Sequence, residues 1–139
     1  MVMEKQFHHV ALSVRDLNAS QAFYERLGFK QIHRWDADDK SLAIVHLKLN
    51  SVVLELFAYA SNISAEPLQL EVANNLTQVG VKHIGLRVHN VHECLEEMRN
   101  AGYETSKSEV TKGRTNIDYF FIKDPDGMWV EIVQDDRGY

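Results

Sequence analysis

The chain contains two copies of one sequence pattern, and this internal repeat restricts its fold more than any other feature. Residues 7–17 align with residues 81–91, so that His9 falls on His83 at an offset of 74 positions. A repeat of this length predicts two copies of one supersecondary unit, each too small to bury its apolar face alone. Further aligned pairs are Val14 with Val88, Asp16 with Asn90, Gly28 with Gly102 and Phe29 with Tyr103.

Each copy also ends on a matching glutamate. Glu55 aligns with Glu131 at an offset of 76, because the second copy has two more residues in a loop. The repeat therefore predicts one domain over residues 1–139, made of a module at 6–59, a linker at 60–80 and a module at 81–135.

Both modules are predicted to have the element order β-α-β-β-β. Apolar residues alternate over 7–14, as in a half-buried strand, and Asp16 and Gly28 are suitable residues for the start and stop of the following helix. The fold class is therefore α+β. The other predicted elements are strands at 29–34, 42–49 and 52–59, a short linker helix at 68–78, strands at 82–88, 103–109, 117–123 and 128–134, and a helix between Asn90 and Gly102; Asn50-Ser51 and 123–127 are predicted turns.

Composition excludes several classes of function. The net charge of −5 argues against a nucleic-acid surface, which requires clustered Lys and Arg. A single cysteine, Cys94, provides no disulfide framework, and it is expected to be a packed side chain. We expect a cytoplasmic protein, since the sequence shows neither a signal peptide nor an apolar run of membrane-spanning length.

The repeated histidines and glutamates are the candidate functional residues. A strand His is usually a packing residue and a strand Glu is usually solvated, but here both recur at equivalent positions in the two modules. A carboxylate between apolar neighbours is costly to bury unless it faces a cation. If the modules pack with pseudo-two-fold symmetry, His9, Glu55, His83 and Glu131 converge on one metal. The remaining histidines lack a counterpart in the other module and are interpreted as surface or packing residues: His8, pointing away from His9, and His33, His46, His89 and His92.

The sequence resembles the glyoxalase I / bleomycin-resistance group, the vicinal oxygen chelate superfamily, over about residues 6 to 135. The resemblance lies in His9-x-x-Leu12-x-Val14-x-Asp16-Leu17 with Leu27-Gly28-Phe29, in His83-Ile84-Gly85-Leu86-x-Val88, and in Asp124-Pro125-Asp126-Gly127-x-x-x-Glu131. It implies two tandem βαβββ modules in a curved eight-stranded mixed sheet. In metal-dependent members the equivalents of His9, Glu55, His83 and Glu131 are the ligands.

The resemblance implies a metal-dependent lyase or isomerase, similar to lactoylglutathione lyase. One divalent metal (Zn, Ni, Fe, Mn or Co) would stabilise the enediolate of a small α-oxo thiol adduct or thioester. A ligating glutamate, Glu131 or Glu55, would act as the proton shuttle, and the sequence does not choose between the two.

The sequence departs from glutathione-dependent members at two positions. Ser13 stands where those enzymes have an arginine that binds the glutathione carboxylate, and Ala58-Tyr59-Ala60 stands where an asparagine is expected. These departures argue against glutathione as the cosubstrate. Ser13 itself is a candidate for substrate binding. The other candidates are Arg87 and Arg114, whose alternative is a solvated surface charge, and Phe57 and Tyr59, whose alternative is a place in the core.

Two alternatives stay open at this point. One is a ring-cleaving dioxygenase or a thiol transferase, although such relatives generally use three ligands. The other is a metal-free module that binds a drug, like the bleomycin-resistance proteins. In every case the expected partners are a small molecule and a second copy of the chain in a homodimer, with no nucleic acid and no membrane.

Overall fold

A computed structural model describes residues 3–62 and 71–138. The chain divides into two units, residues 1–65 and 66–139, here called module 1 and module 2. In the described residues, no helix has the length and apolar character needed to cross a bilayer.

Module 1 has the predicted order of elements. Strand β1 is parallel to β4, the other neighbours are antiparallel, and the sheet order is β1-β4-β3-β2. The turn at Asn50, where φ is 53°, sets the β3–β4 register. The elements are β1 His9–Ser13, α1 Leu17–Arg26, β2 Lys30–Asp36, β3 Leu42–Leu49 and β4 Val52–Tyr59.

Module 2 repeats this arrangement after a short helix. Its sheet order is β5-β8-β7-β6, again with the first strand parallel to the last. The prediction of two α+β modules of one topology is therefore confirmed. The elements are α2 Val72–Leu76, β5 Ile84–Arg87, α3 Val91–Asn100, β6 Thr111–Lys112, β7 Asp118–Lys123 and β8 Trp129–Gln134.

The two long helices begin and end on equivalent residues. The Ala19 amide donates to Asp16 Oδ1 at 3.0 Å, and the Glu93 amide donates to Asn90 Oδ1 at 3.2 Å. Each side chain thus satisfies one of the amides that a helix start leaves without a partner. Just beyond each helix, the backbone turns into the left-handed region at Gly28 and Gly102, with φ values of 102° and 86°.

Each module buries the sheet face that packs against its long helix. In module 1 the aromatic ring of Tyr24 is fully buried and makes edge contacts with Phe23 and Phe29. Because side chains alternate along a strand, the residues between these core positions lie on the opposite face of each sheet. The buried strand residues of this core face are Val45, Leu47, Leu54 and Leu56 in module 1 and Phe120, Ile122, Val130 and Ile132 in module 2.

Two predicted elements differ in the structure. The strand predicted at 103–109 is wrong: Thr105 forms only an isolated bridge with Ile122, and regular pairing begins later, at Thr111. The physical reason is the polar run 106–109, which offers no alternating apolar face to a sheet. The linker helix predicted at 68–78 is present only as α2, and its first part lies outside the described residues.

Candidate metal and substrate site

The sheet register places each glutamate beside a small residue of the neighbouring strand. Glu55 on β4 pairs with Ala11 on β1, and Glu131 on β8 pairs with Gly85 on β5. A Cβ added at Gly85 would lie 3.8 Å from Glu131 Oε2, an ordinary contact distance. Neither Ala11 nor Gly85 has a side chain long enough to cover the neighbouring carboxylate.

The histidine and glutamate of module 1 face each other on the sheet surface. His9 Nε2 lies 3.8 Å from Glu55 Oε1, with the two side chains 46% and 19% exposed. Residue Ser13 lies on the same face of β1, and Phe57 is its register partner on β4. Module 1 thus presents His9, Glu55, Ser13 and Phe57 together.

The equivalent pair of module 2 is closer. His83 Nε2 lies 3.1 Å from Glu131 Oε2, and the two side chains are 25% and 17% exposed. The rings of Phe121 and His83 pack edge to face, with 5.0 Å between their centroids. This aromatic contact restrains the His83 imidazole.

A third residue contacts the glutamate of module 1. His46 Nε2 lies 2.6 Å from Glu55 Oε2, and His46 and Glu55 are register partners across the β3–β4 hairpin. The interpretation of His46 as an ordinary surface or packing residue is therefore wrong. The signal was present in the sequence, because His46 lies four residues before Asn50 and Glu55 lies four residues after Ser51. Residues at equal distances from a two-residue turn face each other in a hairpin.

Two other histidines also make contacts near this site. The ring nitrogen Nδ1 of His8 lies 2.9 Å from Nδ1 of His9, so the prediction that His8 points away from His9 is wrong. It was derived from strand alternation, but β1 begins only at His9. His33 stacks obliquely on His46, at 5.9 Å between centroids. His89 and His92 are exposed, as expected.

The spacing of the donor atoms fits a divalent metal in module 2 and is wider than that in module 1. Two atoms that bind one ion at about 2.1 Å and at right angles lie about 3 Å apart. The 3.1 Å between His83 Nε2 and Glu131 Oε2 matches that spacing, whereas the 3.8 Å between His9 and Glu55 is wider. Among the described residues, no group of three or more His, Cys, Asp or Glu side chains is arranged to hold a metal ion.

A cavity of about 630 Å³ in module 2 is lined in part by His83 and Glu131. Its lining is largely apolar and also includes two exposed cations, Lys107 and Arg114. Neither of these cations has an ion pair within 3–62 or 71–138, whereas Lys112 is paired with Asp118 at 3.3 Å. The apolar lining comprises Val72, Ala73, Leu76, Ile117, Tyr119 and Phe121.

A family model described as the Glyoxalase/Bleomycin resistance protein/Dioxygenase superfamily matches residues 6–132. The chain belongs to this superfamily. The match includes both histidines and both glutamates of the candidate site, and the resemblance seen in the sequence motifs is confirmed.

Superfamily relatives include both enzymes and proteins without an assigned activity. The chain is 28% identical to the uncharacterized protein YwkD of Bacillus subtilis, over 94% of this chain and 97% of that protein. It is 31% identical to a lactoylglutathione lyase of Escherichia coli O157:H7, over 91% of this chain and 90% of the enzyme. Among solved structures, a trypanothione-dependent glyoxalase I of Leishmania major has a TM-score of 0.69 and 26% identity, over 94% of this chain and 87% of that one.

The other residues predicted to bind a substrate have different surroundings in this superfamily member. Arg114 lines the module 2 cavity, whereas the Arg87 guanidinium donates a hydrogen bond to the backbone carbonyl of Asp135. Arg87 is therefore held by the chain itself. Tyr59, at the end of β4, is 49% exposed, and Phe57 is half-buried, so neither belongs to the core of module 1.

Proposed function

We propose that this protein is a metal-dependent lyase or isomerase of the glyoxalase type. Its substrate would be a small α-oxo thiol adduct or thioester. The observation that carries the proposal is the pair of equivalent His–Glu contacts, 3.8 Å in module 1 and 3.1 Å in module 2, each beside a small residue that leaves its carboxylate accessible.

The ligands would be His9, Glu55, His83 and Glu131. Imidazole and carboxylate groups suit Zn, Ni, Fe, Mn or Co. When bound, such an ion polarises two neighbouring substrate oxygens and stabilises negative charge on them. The mixed N/O donor set supports this choice, because it lacks the thiolates of a closed structural zinc site.

The chain's own residues would move the proton. For a thiol adduct, a glutamate carboxylate would remove the proton from the carbon that bears the hydroxyl and the sulfur and return it to the former carbonyl carbon, while the hydroxyl proton passes to the former carbonyl oxygen. For a 2-acyl thioester, the proton would return to the opposite face of the carbon that it left. This transfer is an isomerisation, so it needs no oxidant and no external base. The partly exposed carboxylates of Glu55 and Glu131 support the role, since both can reach a bound molecule.

The module 2 cavity supports a substrate with an apolar part and an anionic group. Its lining includes aliphatic and aromatic side chains and the exposed cations Lys107 and Arg114. Exposed cations attract an anion without a large desolvation cost. Ser13 on module 1 has no charge with which to bind a glutathione carboxylate, so the proposed thiol is one other than glutathione.

The proposal is tested by assaying the protein on thiol adducts of methylglyoxal and on 2-acyl thioesters. The protein is first stripped by a chelator and then reloaded with Zn, Ni, Mn, Fe or Co. We expect activity that depends on the metal and is lost in His83→Ala, while the surface control His92→Ala retains it. Tight binding of apolar drugs by a chelated protein that has no activity with any metal would favour the drug-binding alternative.

Two further predictions accompany this proposal. We expect a homodimer, since Ile32 and Trp35 on edge strand β2 are 54% and 49% exposed. Light scattering after size-exclusion chromatography would show a monomer if this is wrong.

We also expect a cytosolic location, which cell fractionation tests.

A further inference from the structure

The contact between His46 and Glu55 has no counterpart in module 2. His46 is the register partner of Glu55 on β3, and Phe121 is the register partner of Glu131 on β7. An imidazole can hydrogen-bond to a carboxylate, and a phenyl ring cannot. The two glutamates thus have equivalent backbone positions but different restraints on their side chains.

The hydrogen bond divides the two oxygens of Glu55 between two histidines. An ionised carboxylate only accepts hydrogen bonds, so the Nε2–H group of His46 donates to Oε2 at 2.6 Å. The other oxygen, Oε1, is the one that lies 3.8 Å from His9 Nε2. A short bond to an ionised group is among the stronger hydrogen bonds in proteins. The bond therefore selects one orientation of the carboxylate, with Oε1 beside His9.

We propose that His46 is a positioning residue for Glu55. It holds Oε2 and thereby presents Oε1, next to His9, to a divalent metal. This inference rests on the proposed function, since it assumes that Glu55 is a ligand. Restraining a ligand before the metal binds reduces the conformational entropy lost on binding, and such partners tune affinity.

The same difference assigns separate roles to the two glutamates. Glu131 contacts His83 through Oε2, while the Phe121 ring opposite it offers no hydrogen bond. The hydrogen bond of Glu131 comes from His83, itself a proposed ligand, whereas that of Glu55 comes from His46, which is outside the proposed ligand set. Glu55 would therefore stay restrained when a metal binds, and Glu131 would not. Glu55 is then the fixed ligand, and Glu131 is the residue that carries the proton.

The experiment compares the metal affinity of four proteins. These are the wild type, His46→Phe, His46→Gln and the control His33→Phe. His46→Phe introduces the residue that module 2 has at the equivalent position. His46→Gln keeps an amide N–H that can donate to Glu55. His33→Phe replaces a neighbouring exposed histidine that has no hydrogen bond to Glu55. Competition with a chromogenic chelator gives the Zn²⁺ dissociation constant, and kcat and KM are measured at saturating metal.

We expect His46→Phe to weaken Zn²⁺ binding about 10- to 100-fold, the usual effect of losing a partner that orients a ligand. His46→Gln should recover most of that affinity, and His33→Phe should match the wild type. The variants should change kcat at saturating metal much less than they change affinity.

Other results would overturn the inference in distinguishable ways. Equal Zn²⁺ affinity in the wild type and His46→Phe would refute the positioning role alone. Equally weak binding in His46→Gln and His46→Phe would make the imidazole itself a ligand. A wild-type protein that takes up no metal would overturn the proposed function together with this inference.

Discussion

The hairpins that carry the two glutamates are built alike but surround the carboxylates differently. In module 1 the residue opposite Glu55 is His46, which hydrogen-bonds to it at 2.6 Å. In module 2 the residue opposite Glu131 is Phe121, which packs on His83 instead. The first hairpin therefore adds a restraint on its glutamate, and the second adds one on its histidine. An internal repeat can thus keep two groups at equivalent positions while changing what surrounds each of them.

The largest expected effect separates the two glutamates by their kinetics. We expect Glu131→Gln to lower kcat about 10²- to 10⁴-fold, the usual contribution of a proton-transferring group. Glu55→Gln should mainly weaken metal binding, because we propose that this side chain is a fixed metal ligand. Steady-state kinetics at saturating metal measure the difference, with the exposed Glu109→Gln as the control. A larger kcat loss in Glu55→Gln than in Glu131→Gln would reverse the assigned roles.

The next effect tests whether the two cores contribute equally to stability. Leu56 and Ile132 follow the two glutamates and are 0% and 1% exposed. We expect Leu56→Ala and Ile132→Ala each to lower the free energy of unfolding by about 2–5 kcal/mol through cavity formation. Urea denaturation measures it, and Val79→Ala, at a fully exposed position, should change little. A loss well below 1 kcal/mol in one variant would mean that its module is not packed as described.

A smaller effect concerns the matched helix starts. Asp16→Ala and Asn90→Ala each remove a side-chain acceptor for a helix amide. We expect each substitution to cost about 1 kcal/mol of unfolding free energy, measured by thermal denaturation. The loop variant Asp38→Ala is the control. If only one of the two variants loses stability, the two helices do not depend equally on their caps.

The smallest expected effect is a pH dependence of the free energy of unfolding that comes from Cys94 in module 2. Burial, with a smaller contribution from the charge of Glu97, raises the pKa of the Cys94 thiol above its usual value. As the pH rises, the thiol therefore ionises in the unfolded chain before it ionises in the folded protein. Its contribution to the free energy of unfolding is present at neutral pH and is lost under alkaline conditions. Cys94→Ser should remove this dependence at little cost, since module 1 has Ser20 at the equivalent position.

Unfolding at a series of pH values measures this contribution, and alkylation gives an independent measurement. Iodoacetamide should modify Cys94 more slowly in the folded protein than in the denatured chain. Equal rates would contradict the raised pKa.

The sequence predicts elements best where one local pattern decides them. The strands at 42–49 and 52–59 have the predicted bounds because two apolar stretches and the Asn50 turn between them agree. The strand at 103–109 is absent because that prediction followed the repeat, while the local sequence is polar.

The candidate site shows the same division. The repeat identifies His9, Glu55, His83 and Glu131, since a duplicated pair stands out in a sequence comparison. The repeat does not identify His46, because a comparison of the two modules selects only residues that both modules share. Hairpin register, rather than periodicity, is the physical signal that brings His46 to Glu55.

Metal content is the most direct test of the proposed function. We would measure it by mass spectrometry for the wild type, His9→Ala and His83→Ala, each purified without added metal and then titrated with Zn²⁺, Ni²⁺ and Mn²⁺. We expect about one divalent ion per chain in the wild type and loss of that ion in both variants. A wild type that takes up none of these metals, or two variants that retain the ion, would contradict the proposed function.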